Sequence, residues 1–479
     1  MSCPNQQPLV CFETLGCRLN SVETEAAARA FADAGFEAVL GAPSHPERAV
    51  LAVVNTCTVT GKAEQKCRRA FRQALAAHPN AVLLITGCYA ELGAGELASF
   101  DPRAVVLPGS RKGFLRDLPP ILRDRLGAEA DPLGTAAFLR SLLARQGASG
   151  ENPPGAFALS TDSFLAHSRS SLKIQDGCDN ACAFCRVRLA RGPSRSLDAM
   201  EAVERVRGLE QAGQREVTLT GVNLSHYRSA LGGRAVDLAG LANLILEGTE
   251  SIALRFSSLY PESVTPEFCA LAANPRIRPH FHLSVQSGSD KVLKAMNRPY
   301  RRSGVVRAVD ALRAAKDDPF IAFDIIAGFP GETDGDFGET LGLCEDCAVA
   351  WVHAFPFSPR PGTAAVSLPG RVPEGVRTAR AAELFRLAVR RKIAYIRGWE
   401  GRRVSGIIER PRESAPGGPL RAVTANFIHV ILDGPPGRAF PGGGEVSLRI
   451  LGPLEESILR NGESEALAEI CESLSPGTC

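Results

Sequence analysis

Three cysteines in the middle of the chain have a spacing that suits a metal cluster. Cys178, Cys182 and Cys185 form a CxxxCxxC sequence that follows the strand-like residues 171–175. Steps of four and three residues place three sulfurs on one tight loop, as thiolate ligation of an iron–sulfur cluster requires. Zinc modules normally supply four ligands in two pairs, and no second pair follows at a suitable distance. The spacing therefore predicts a 4Fe–4S cluster with one iron free of protein ligands.

Three further cysteines, Cys17, Cys57 and Cys88, each follow a predicted buried strand in the first part of the chain. The strand-like runs are residues 10–15, 50–54 and 81–85, and the helix-like segments between them are residues 21–34 and 62–77. Ligands in open parallel sheets bind outside the carboxyl ends of the strands, so we expect these thiols to converge. They suit a second iron–sulfur cluster with an open iron, or a zinc site completed by a fourth group. The alternative is three ordinary buried cysteines, which are common in sheet cores.

The remaining cysteines of these regions fit structural roles better. Cys11 lies within a predicted strand and Cys67 within a predicted helix, whereas Cys344 and Cys347 form a CxxC inside the helix-like residues 334–347, where core packing explains them. Fourteen cysteines in 479 residues, without a secretion signal, are too sparse for a disulfide scaffold. The cysteine content therefore favours metal or redox chemistry.

Composition and charge exclude several classes of protein. A hydrophobic content of 44% supports several folded domains rather than a disordered or fibrous chain. Fifty-five basic and 52 acidic residues give a net charge of +3, so nucleic-acid binding must be local. Apolar runs such as residues 81–85 are far shorter than a membrane span of about 20 residues, and the N-terminus lacks the pattern of a signal peptide. We therefore expect a soluble, cytoplasmic protein without a membrane partner.

The elements that must position the cysteines predict two α/β domains. Residues 8–120 have the order β-α-β-α-β, which is typical of a doubly wound parallel sheet. Residues 121–167 are rich in Pro and Gly and predict a linker with a short helix at 136–145. Residues 168–397 contain six strand-like runs alternating with helices, which predict a partial (β/α)6 barrel whose chemistry lies on the carboxyl-end loops. The runs are residues 171–175, 216–220, 253–257, 281–285, 321–326 and 351–355.

The C-terminal part of the chain changes to short alternating strands separated by Pro- and Gly-rich turns. The strands are predicted at residues 404–409, 426–432 and 445–450. Residues 398–453 therefore predict a small β-barrel, and the acidic residues 454–479 predict an uninvolved tail.

Basic residues of this small barrel suit contact with RNA phosphates, and Phe427 is available for stacking on a base. The basic residues are Arg402, Arg403, Arg410, Arg412 and Arg421. Arg298, Arg301 and Arg302 extend this basic track towards the cysteine loop. The alternative is a solvated charged face on a packing domain.

Many short motifs, in order, resemble those of the radical S-adenosylmethionine (SAM) methylthiotransferases over about residues 8–365, with a segment like the RNA-binding TRAM domain to about residue 453. The motifs are residues 14–20 (TLGCRLN), 55–60 (NTCTVT), 87–90 (GCYA), 173–178 (KIQDGC), 190–192 (ARG), 282–288 (HLSVQSG), 296–298 (MNR), 328–333 (GFPGET) and 358–363 (SPRPGT). The first, second, fourth and last of them are most similar to the branch that acts on threonylcarbamoyladenosine beside the tRNA anticodon. The isopentenyladenosine and ribosomal-protein branches differ around the first cysteine.

The resemblance implies a role for each cysteine set. It implies that Cys178, Cys182 and Cys185 hold a 4Fe–4S cluster whose open iron binds SAM and cleaves it reductively to a 5′-deoxyadenosyl radical. It further implies that Cys17, Cys57 and Cys88 hold an auxiliary 4Fe–4S cluster that carries the sulfur. Residues near SAM would be Gly221, Asn223, Ser284 and Gln286. The implied partners are the tRNA anticodon stem-loop, a reductant such as flavodoxin or ferredoxin, and a sulfur donor that the sequence does not identify.

The chain departs from the family pattern directly after the cysteine loop. The family commonly has Ile-Ile-Pro or Ile-Val-Pro there, and this chain has Arg186-Val187-Arg188. The eight histidines are scattered without an evident His–Asp pair, so we interpret His282 as an ordinary strand residue. A hypothesis of another class is a non-catalytic iron–sulfur RNA-binding protein, although such a module has no need for two cysteine sets with open irons.

Overall fold

A computed structural model of the chain describes residues 7–123, 125, 131–148, 155–162, 164–165, 168–410, 418–433 and 443–473. Arg412, part of the predicted linker and residues 474–479 lie outside the described residues. Among the described residues, no helix is long and apolar enough to cross a membrane.

The N-terminal part folds around one five-stranded parallel sheet. Its strands are β1 (Leu9–Thr14), β2 (Glu37–Leu40), β3 (Ala49–Thr56), β4 (Val82–Gly87) and β5 (Ala104–Val106). Its helices are α1 (Arg18–Asp33), α2 (Gly61–Ala77), α3 (Cys88–Leu92), α4 (Ala94–Ala98), α5 (Leu118–Arg123) and α6 (Pro132–Ala148). All neighbouring strands are parallel, in the order β2-β1-β3-β4-β5, so the strand order reverses between β1 and β3.

Helices cover both faces of this sheet, which confirms the predicted doubly wound architecture. On one face Val10 and Phe12 pack with α1 through Phe31, and on the other Leu9 packs with α2 through Phe71. Helix α6 lies in the segment predicted as a linker, yet its Ala136, Leu139 and Leu143 are part of the first of these cores. The segment therefore completes the N-terminal core in addition to connecting domains.

Six parallel strands form the central domain. They are β6 (Ser170–Lys173), β9 (Glu216–Thr220), β12 (Ala253–Phe256), β13 (His280–Gln286), β14 (Phe320–Ala327) and β15 (Trp351–Pro356). They pair as β6-β9-β12 and β13-β14-β15, and single parallel bridges such as Leu259 to Leu283 join the two halves. The predicted partial barrel is thereby confirmed, with β6 and β15 at its two edges.

Helices and two short hairpins complete the central domain. The helices are α7 (Val187–Arg191), α8 (Ala199–Gln211), α9 (Leu238–Glu247), α10 (Pro266–Ala272), α11 (Asp290–Ala295), α12 (Arg302–Ala315), α13 (Asp334–Asp346) and α14 (Glu374–Gly398). The hairpins are β7 (Gln175–Asp176) with β8 (Arg195–Ser196), and β10 (Ser229–Leu231) with β11 (Arg234–Val236). Cys344 and Cys347 are buried in the core of this domain, and burial raises the pKa of Cys344 to about 12.

The C-terminal domain is a closed five-stranded barrel. Its strands are β16 (Arg403–Ile408), β17 (Arg421–Thr424), β18 (His429–Asp433), β19 (Glu445–Pro453) and β20 (Ala466–Ser473), and a short helix α15 (Glu455–Leu459) precedes the last strand. Strand β20 pairs with both β18 and β19, so the prediction that residues 454–479 are an uninvolved tail is wrong. The inward residues of β20 include Ala466 and Ala468, and such small side chains give a weak hydrophobic pattern.

The C-terminal barrel packs against the amino ends of the central strands. Phe427, which has a φ of 67°, stacks on His280 with ring centroids 4.1 Å apart, and the guanidinium of Arg255 lies 5.0 Å from the Phe427 ring. Phe427 therefore serves the domain interface, and the prediction that it is available for base stacking is wrong. In the same region, Glu216 of β9 accepts hydrogen bonds from buried Arg255 and Arg278 at 2.8 to 2.9 Å.

Candidate functional site

The CxxxCxxC sequence lies on a loop whose neck is closed by the β7–β8 pair. The backbone N–H of Cys178 donates to Gly192 O at 3.1 Å. Gly177 has a φ of +71°, and a Cβ on it would lie 1.9 Å from Pro193 O, so only glycine fits this neck. The loop follows β6 and the short β7, which places its cysteines at the carboxyl end of the partial barrel.

The thiols of the loop face one another and a buried cation. Burial and, to a smaller extent, the neighbouring Cys182 and Cys178 raise the pKa of Cys185 to about 11. Arg298 Nη1 donates to Cys182 Sγ at 3.2 Å and to the Tyr260 hydroxyl at 3.0 Å. Arg298 is buried, so its predicted place in an exposed RNA-binding track is wrong. Its position suits stabilisation of a thiolate.

Gly221 and Asn223 follow β9 at the same end of the barrel. Asn223 is fully buried, its N–H donates to Gln175 Oε1 at 2.8 Å, and its amide nitrogen lies 3.9 Å from Cys178 Sγ. A Cβ on Gly221 would lie 2.9 Å from Gln175 Cβ, so the backbone passes close to the strand that leads into the cysteine loop.

Ser284 and Gln286 lie near the end of β13. Arg298 Nη2 donates to Ser284 O at 2.8 Å, which connects this strand to the cysteine loop. Gln286 has a φ of 71°, in the left-handed region that non-glycine residues rarely adopt, at a break in the pairing with β14. Such backbone strain is concentrated at functional sites. All four residues predicted to lie near SAM are thus at the carboxyl ends of β9 and β13.

The barrel also contains a histidine–aspartate pair that the sequence analysis missed. His282 Nε2 lies 2.9 Å from Asp324 Oδ1, the His282 Nδ1 is 3.2 Å from Ser258 Oγ, and the His353 ring packs on His282 with centroids 4.8 Å apart. His282 and the charge of His353 lower the pKa of Asp324 against the opposing effect of burial. His282 lies in β13, as predicted, but its pairing with Asp324 was not predicted, because the residues of this group are brought together only by neighbouring strands.

Cys17, Cys57 and Cys88 lie at the carboxyl ends of β1, β3 and β4. Cys17 is the N-cap of α1, Cys57 follows β3, and Cys88 begins α3. A Cβ on Gly16 would lie 2.4 Å from Cys57 Cβ, which shows how closely the first two turns approach. Burial and, to a smaller extent, the neighbouring Cys17 and Cys88 raise the pKa of Cys57 to about 12. The ends of β1 and β3 form the point where the strand order reverses, where such sheets bind ligands.

Cys67 and Cys11 remain in structural positions. Cys67 Sγ is 3.6 Å from Cys57 O, and burial raises the pKa of Cys67 to about 11. Cys11 is buried in a core on one face of the sheet.

A buried ionic network joins the N-terminal domain to the cysteine loop. Glu23, in the helix that begins after Cys17, binds Lys173 at 2.7 Å and Arg191 at 3.2 Å, while Lys173 also binds Asp176 at 2.9 Å. Lys173 and Arg191 flank the loop in sequence, and the charges of Cys88 and Cys17 help to raise the pKa of Arg191 in spite of its burial. Residues that neighbour the two cysteine sets therefore meet at one interface.

The donor chemistry of both sets fits iron–sulfur clusters. Each set offers three soft thiols at strand ends and a buried guanidinium that offsets negative charge. In the described part of the chain, no group of three His, Cys, Asp or Glu side chains lies close enough to hold a single metal ion. The thiols that bind a cluster of several irons lie further apart than the ligands of a single metal ion. The spacing of these cysteines therefore still suits a cluster.

The partial barrel and its three-cysteine loop define the class of protein. Residues 172–344 match the radical SAM superfamily, and residues 9–109 match a family described as uncharacterized protein family UPF0004. A radical SAM methyltransferase from Kitasatospora setae, TsrM, solved with cobalamin and a [4Fe-4S] cluster, shares this fold with a TM-score of 0.50, at 13% identity over 75% of this chain and 77% of that one.

Relatives define the family more closely. The threonylcarbamoyladenosine tRNA methylthiotransferase MtaB of Treponema pallidum is 42% identical over 91% of this chain and 97% of its own length. The MtaB of Thermotoga maritima is 36% identical over 77% of this chain and 79% of its length. The tRNA-2-methylthio-N(6)-dimethylallyladenosine synthase of Maricaulis maris is 32% identical over 88% of this chain and 91% of its own length. The chain belongs to the radical SAM methylthiotransferase family, and within it is most similar to the threonylcarbamoyladenosine branch.

Membership of this family makes the protein an enzyme that transfers a sulfur-containing group. It also implies a 4Fe–4S cluster and SAM as cofactors. The prediction of the family from the order of its motifs is confirmed.

Proposed function

We propose that this protein adds a methylthio group to C2 of threonylcarbamoyladenosine next to the anticodon of tRNA. The observation that carries the proposal is the interface at which residues next to each three-cysteine set bind one another. Sulfur transfer requires a radical-generating site and a sulfur-bearing site to reach the same base. The substrate branch is supported by relatives in Treponema pallidum, Thermotoga maritima, Aquifex aeolicus and Bacillus subtilis that carry this name.

Each cysteine set would hold one 4Fe–4S cluster. Cys178, Cys182 and Cys185 would hold the cluster that binds SAM, and Cys17, Cys57 and Cys88 would hold the auxiliary one. Together with SAM, these groups supply one-electron cleavage, activation of the inert adenine C–H bond and the sulfur to be transferred. We expect a small reductant such as flavodoxin or ferredoxin to supply the electrons.

Other side chains would orient the cofactor and the base. Arg298 donates to Cys182 Sγ and to Ser284 O, while the side-chain amide of Asn223 lies 3.9 Å from Cys178 Sγ. Gly221 and Gln286 would border SAM at the strand ends. His282 and Asp324 form a polar pair inside the barrel, where the imidazole or the carboxylate can hydrogen-bond a polar substituent of the modified base.

The RNA would reach the site along the edge of the central barrel. A cavity of about 590 Å³ runs from Cys17 past Arg18 and Arg169 to Arg410 of the C-terminal barrel. The basic surface of that barrel is smaller than predicted, because Arg402 binds Asp317 and Asp318, and Arg421 binds Glu463. Arg403 is exposed and is the better candidate for a phosphate contact, because the exposed Arg410 already donates from Nη1 to Phe164 O at 2.7 Å.

Nucleoside mass spectrometry of bulk tRNA, with and without the gene, tests the proposal. We expect the methylthio form of threonylcarbamoyladenosine to disappear and the unmodified nucleoside to accumulate. Loss of a methylthio isopentenyladenosine instead would assign the activity of the Maricaulis maris relative to this chain. An unchanged profile in a strain without a second family member would contradict both.

Reductive SAM cleavage distinguishes the enzyme from a non-catalytic iron–sulfur RNA-binding protein. We expect the reconstituted chain to release 5′-deoxyadenosine and the Cys182→Ala variant to release none, because three thiolates are needed to hold the cube. The absence of cleavage by the wild-type chain with both clusters intact would favour the binding protein.

A further inference from the structure

The arginine that departs from the family pattern forms an ionic contact between domains. Arg186 follows Cys185, and its Nη1 donates to Glu64 Oε1 at 2.8 Å and approaches Thr58 Oγ1 at 3.4 Å. Thr58 follows Cys57 and lies in the N-terminal domain, as does Glu64 on α2. The contact therefore connects residues that are covalently adjacent to one cysteine of each set.

A second arginine binds the same carboxylate. Arg360 Nη2 donates to Thr58 Oγ1 at 3.0 Å and also to Glu64 Oε1. Thr58 Oγ1 donates to Glu64 Oε1 at 2.5 Å. Beside this group, the N–H of Gly61 donates to Ser358 Oγ at 3.1 Å, so the start of α2 is held by the same loop that carries Arg360.

The group is shielded from water. The side chains of Arg360, Glu64 and Arg186 are 5%, 12% and 15% exposed. Hydrogen bonds between charged partners are stronger than neutral ones, and screening by salt is weak where water is excluded. The apolar residue that the family commonly has at position 186 cannot make this contact, whereas the exposed Arg188, two residues further on, has no comparable burial.

We propose that Arg186, Glu64 and Arg360 form a clamp that holds the Cys57 turn against the Cys185 loop, and that Arg186 is a positioning residue for sulfur transfer. The role in transfer rests on the proposed function, whereas the clamp itself does not. Sulfur at one site and the reactive carbon at the other must meet on one base, and small displacements of reacting groups are costly. When the clamp is weakened, less of the methylthio group is transferred, although both cysteine sets remain intact.

Reconstituted full-length Arg186→Gln tests the proposal against Arg188→Gln, the same change at an exposed position two residues further along the chain. We expect Arg186→Gln to keep its iron content and its rate of 5′-deoxyadenosine release, but to form about tenfold less methylthiolated nucleoside per 5′-deoxyadenosine. Arg188→Gln keeps the wild-type ratio. Arg186→Lys recovers part of it, because one ammonium reaches the carboxylate without the fork geometry of a guanidinium.

Two further measurements report on the clamp independently of the reaction. Hydrogen exchange of the backbone around residues 57–64 and 182–188 should be faster in Arg186→Gln than in Arg188→Gln. The magnetic coupling between the two reduced clusters, measured by pulsed electron paramagnetic resonance, should become weaker or broader in distribution. Wild-type exchange and a wild-type product ratio in Arg186→Gln would overturn the proposal. If Arg186→Gln shows faster exchange but the wild-type protein does not methylthiolate tRNA, the clamp is supported and the proposed function is rejected.

Discussion

A buried guanidinium accompanies each of the two cysteine sets. Arg298 donates to Cys182, and Arg191 lies within electrostatic range of Cys17 and Cys88. Thiolate clusters carry negative charge, and nearby cations and hydrogen bonds set their reduction potentials. At the residue scale, these two arginines are therefore the groups most suited to set how readily each cluster accepts an electron.

Replacement of Arg298 by Gln should make the SAM-binding cluster harder to reduce. The variant removes a positive charge 3.2 Å from Cys182 Sγ, so we expect the midpoint potential to fall by tens of millivolts. A redox titration followed by electron paramagnetic resonance measures it. The exposed Arg301 provides the control, and an equal shift in Arg301→Gln would contradict the explanation.

Glu216 should make the stability of the fold dependent on pH. Although burial opposes ionisation, Arg255 and Arg278 lower the pKa of Glu216 to about 2. A carboxyl with a pKa below its unfolded value of 4.5 contributes its full stability above that value and loses it as the pH falls towards 2. Replacement by Gln leaves Arg255 buried and unpaired, which should cost about 3–5 kcal/mol at pH 7.

Urea unfolding of the metal-free chain between pH 7 and pH 3, followed by circular dichroism, measures this effect. The difference in unfolding free energy between wild type and Glu216→Gln should narrow below about pH 4.5, because the unfolded wild-type chain then binds a proton that the folded chain takes up only towards pH 2. The exposed Glu247→Gln serves as control. A difference independent of pH would contradict the assigned role of the charge.

At the scale of elements, parallel strands and short turns bring distant cysteines together. β1, β3 and β4 each end in a turn that presents one cysteine at the same edge. The turn after β1 is tight, since Gly16 has a φ of +110° and passes against Cys57. The site therefore depends on backbone space as well as on the thiols.

Gly16→Ala should remove the auxiliary cluster specifically. Its Cβ would lie 2.7 Å from Cys57 Sγ, whereas Gly41, with a φ of +101°, has nothing within 4 Å of an added Cβ. Both variants should be destabilised by about 1–2 kcal/mol, because alanine disfavours the left-handed backbone at these positions. Only in Gly16→Ala should the iron content fall from roughly eight to roughly four irons per chain, and this variant should retain SAM cleavage. Iron analysis of the reconstituted proteins measures this, and loss of iron in Gly41→Ala would point to general unfolding.

At the scale of the whole molecule, the N-terminal and central domains form the interface beside the cysteine sets, and the C-terminal barrel lies at the other end of the central strands. The N-terminal domain contacts the loop through Glu23 and Glu64, and the C-terminal barrel packs against the opposite end of the strands through Phe427. Lys392 of the long helix α14 binds Glu465, just before the strand that closes the barrel. The end of the chain is thereby tied to the central domain.

Truncation after Pro453 should destabilise the C-terminal barrel. It removes β20 and leaves β18 and β19 with unpaired edges, which promotes aggregation. We expect a lower thermal midpoint and a loss of tRNA binding, measured by calorimetry and by filter binding. A chain ended after Ser473 keeps β20 and should behave as wild type. Equal stability of the two truncations would contradict a role for β20.

The sequence by itself determined the cysteine loop, the positions of the buried strands and the family, because these depend on local spacing and hydrophobic pattern. Strand ends that follow one another along the chain were enough to predict that Cys17, Cys57 and Cys88 converge. Only the tertiary structure brought His282 to Asp324, Arg298 to Cys182 and Arg186 to Glu64, since each pair joins residues far apart in sequence. The sequence around a charged residue does not show which distant residue it will pair with. Burial and pairing in three dimensions decide whether it faces solvent, RNA or a cluster.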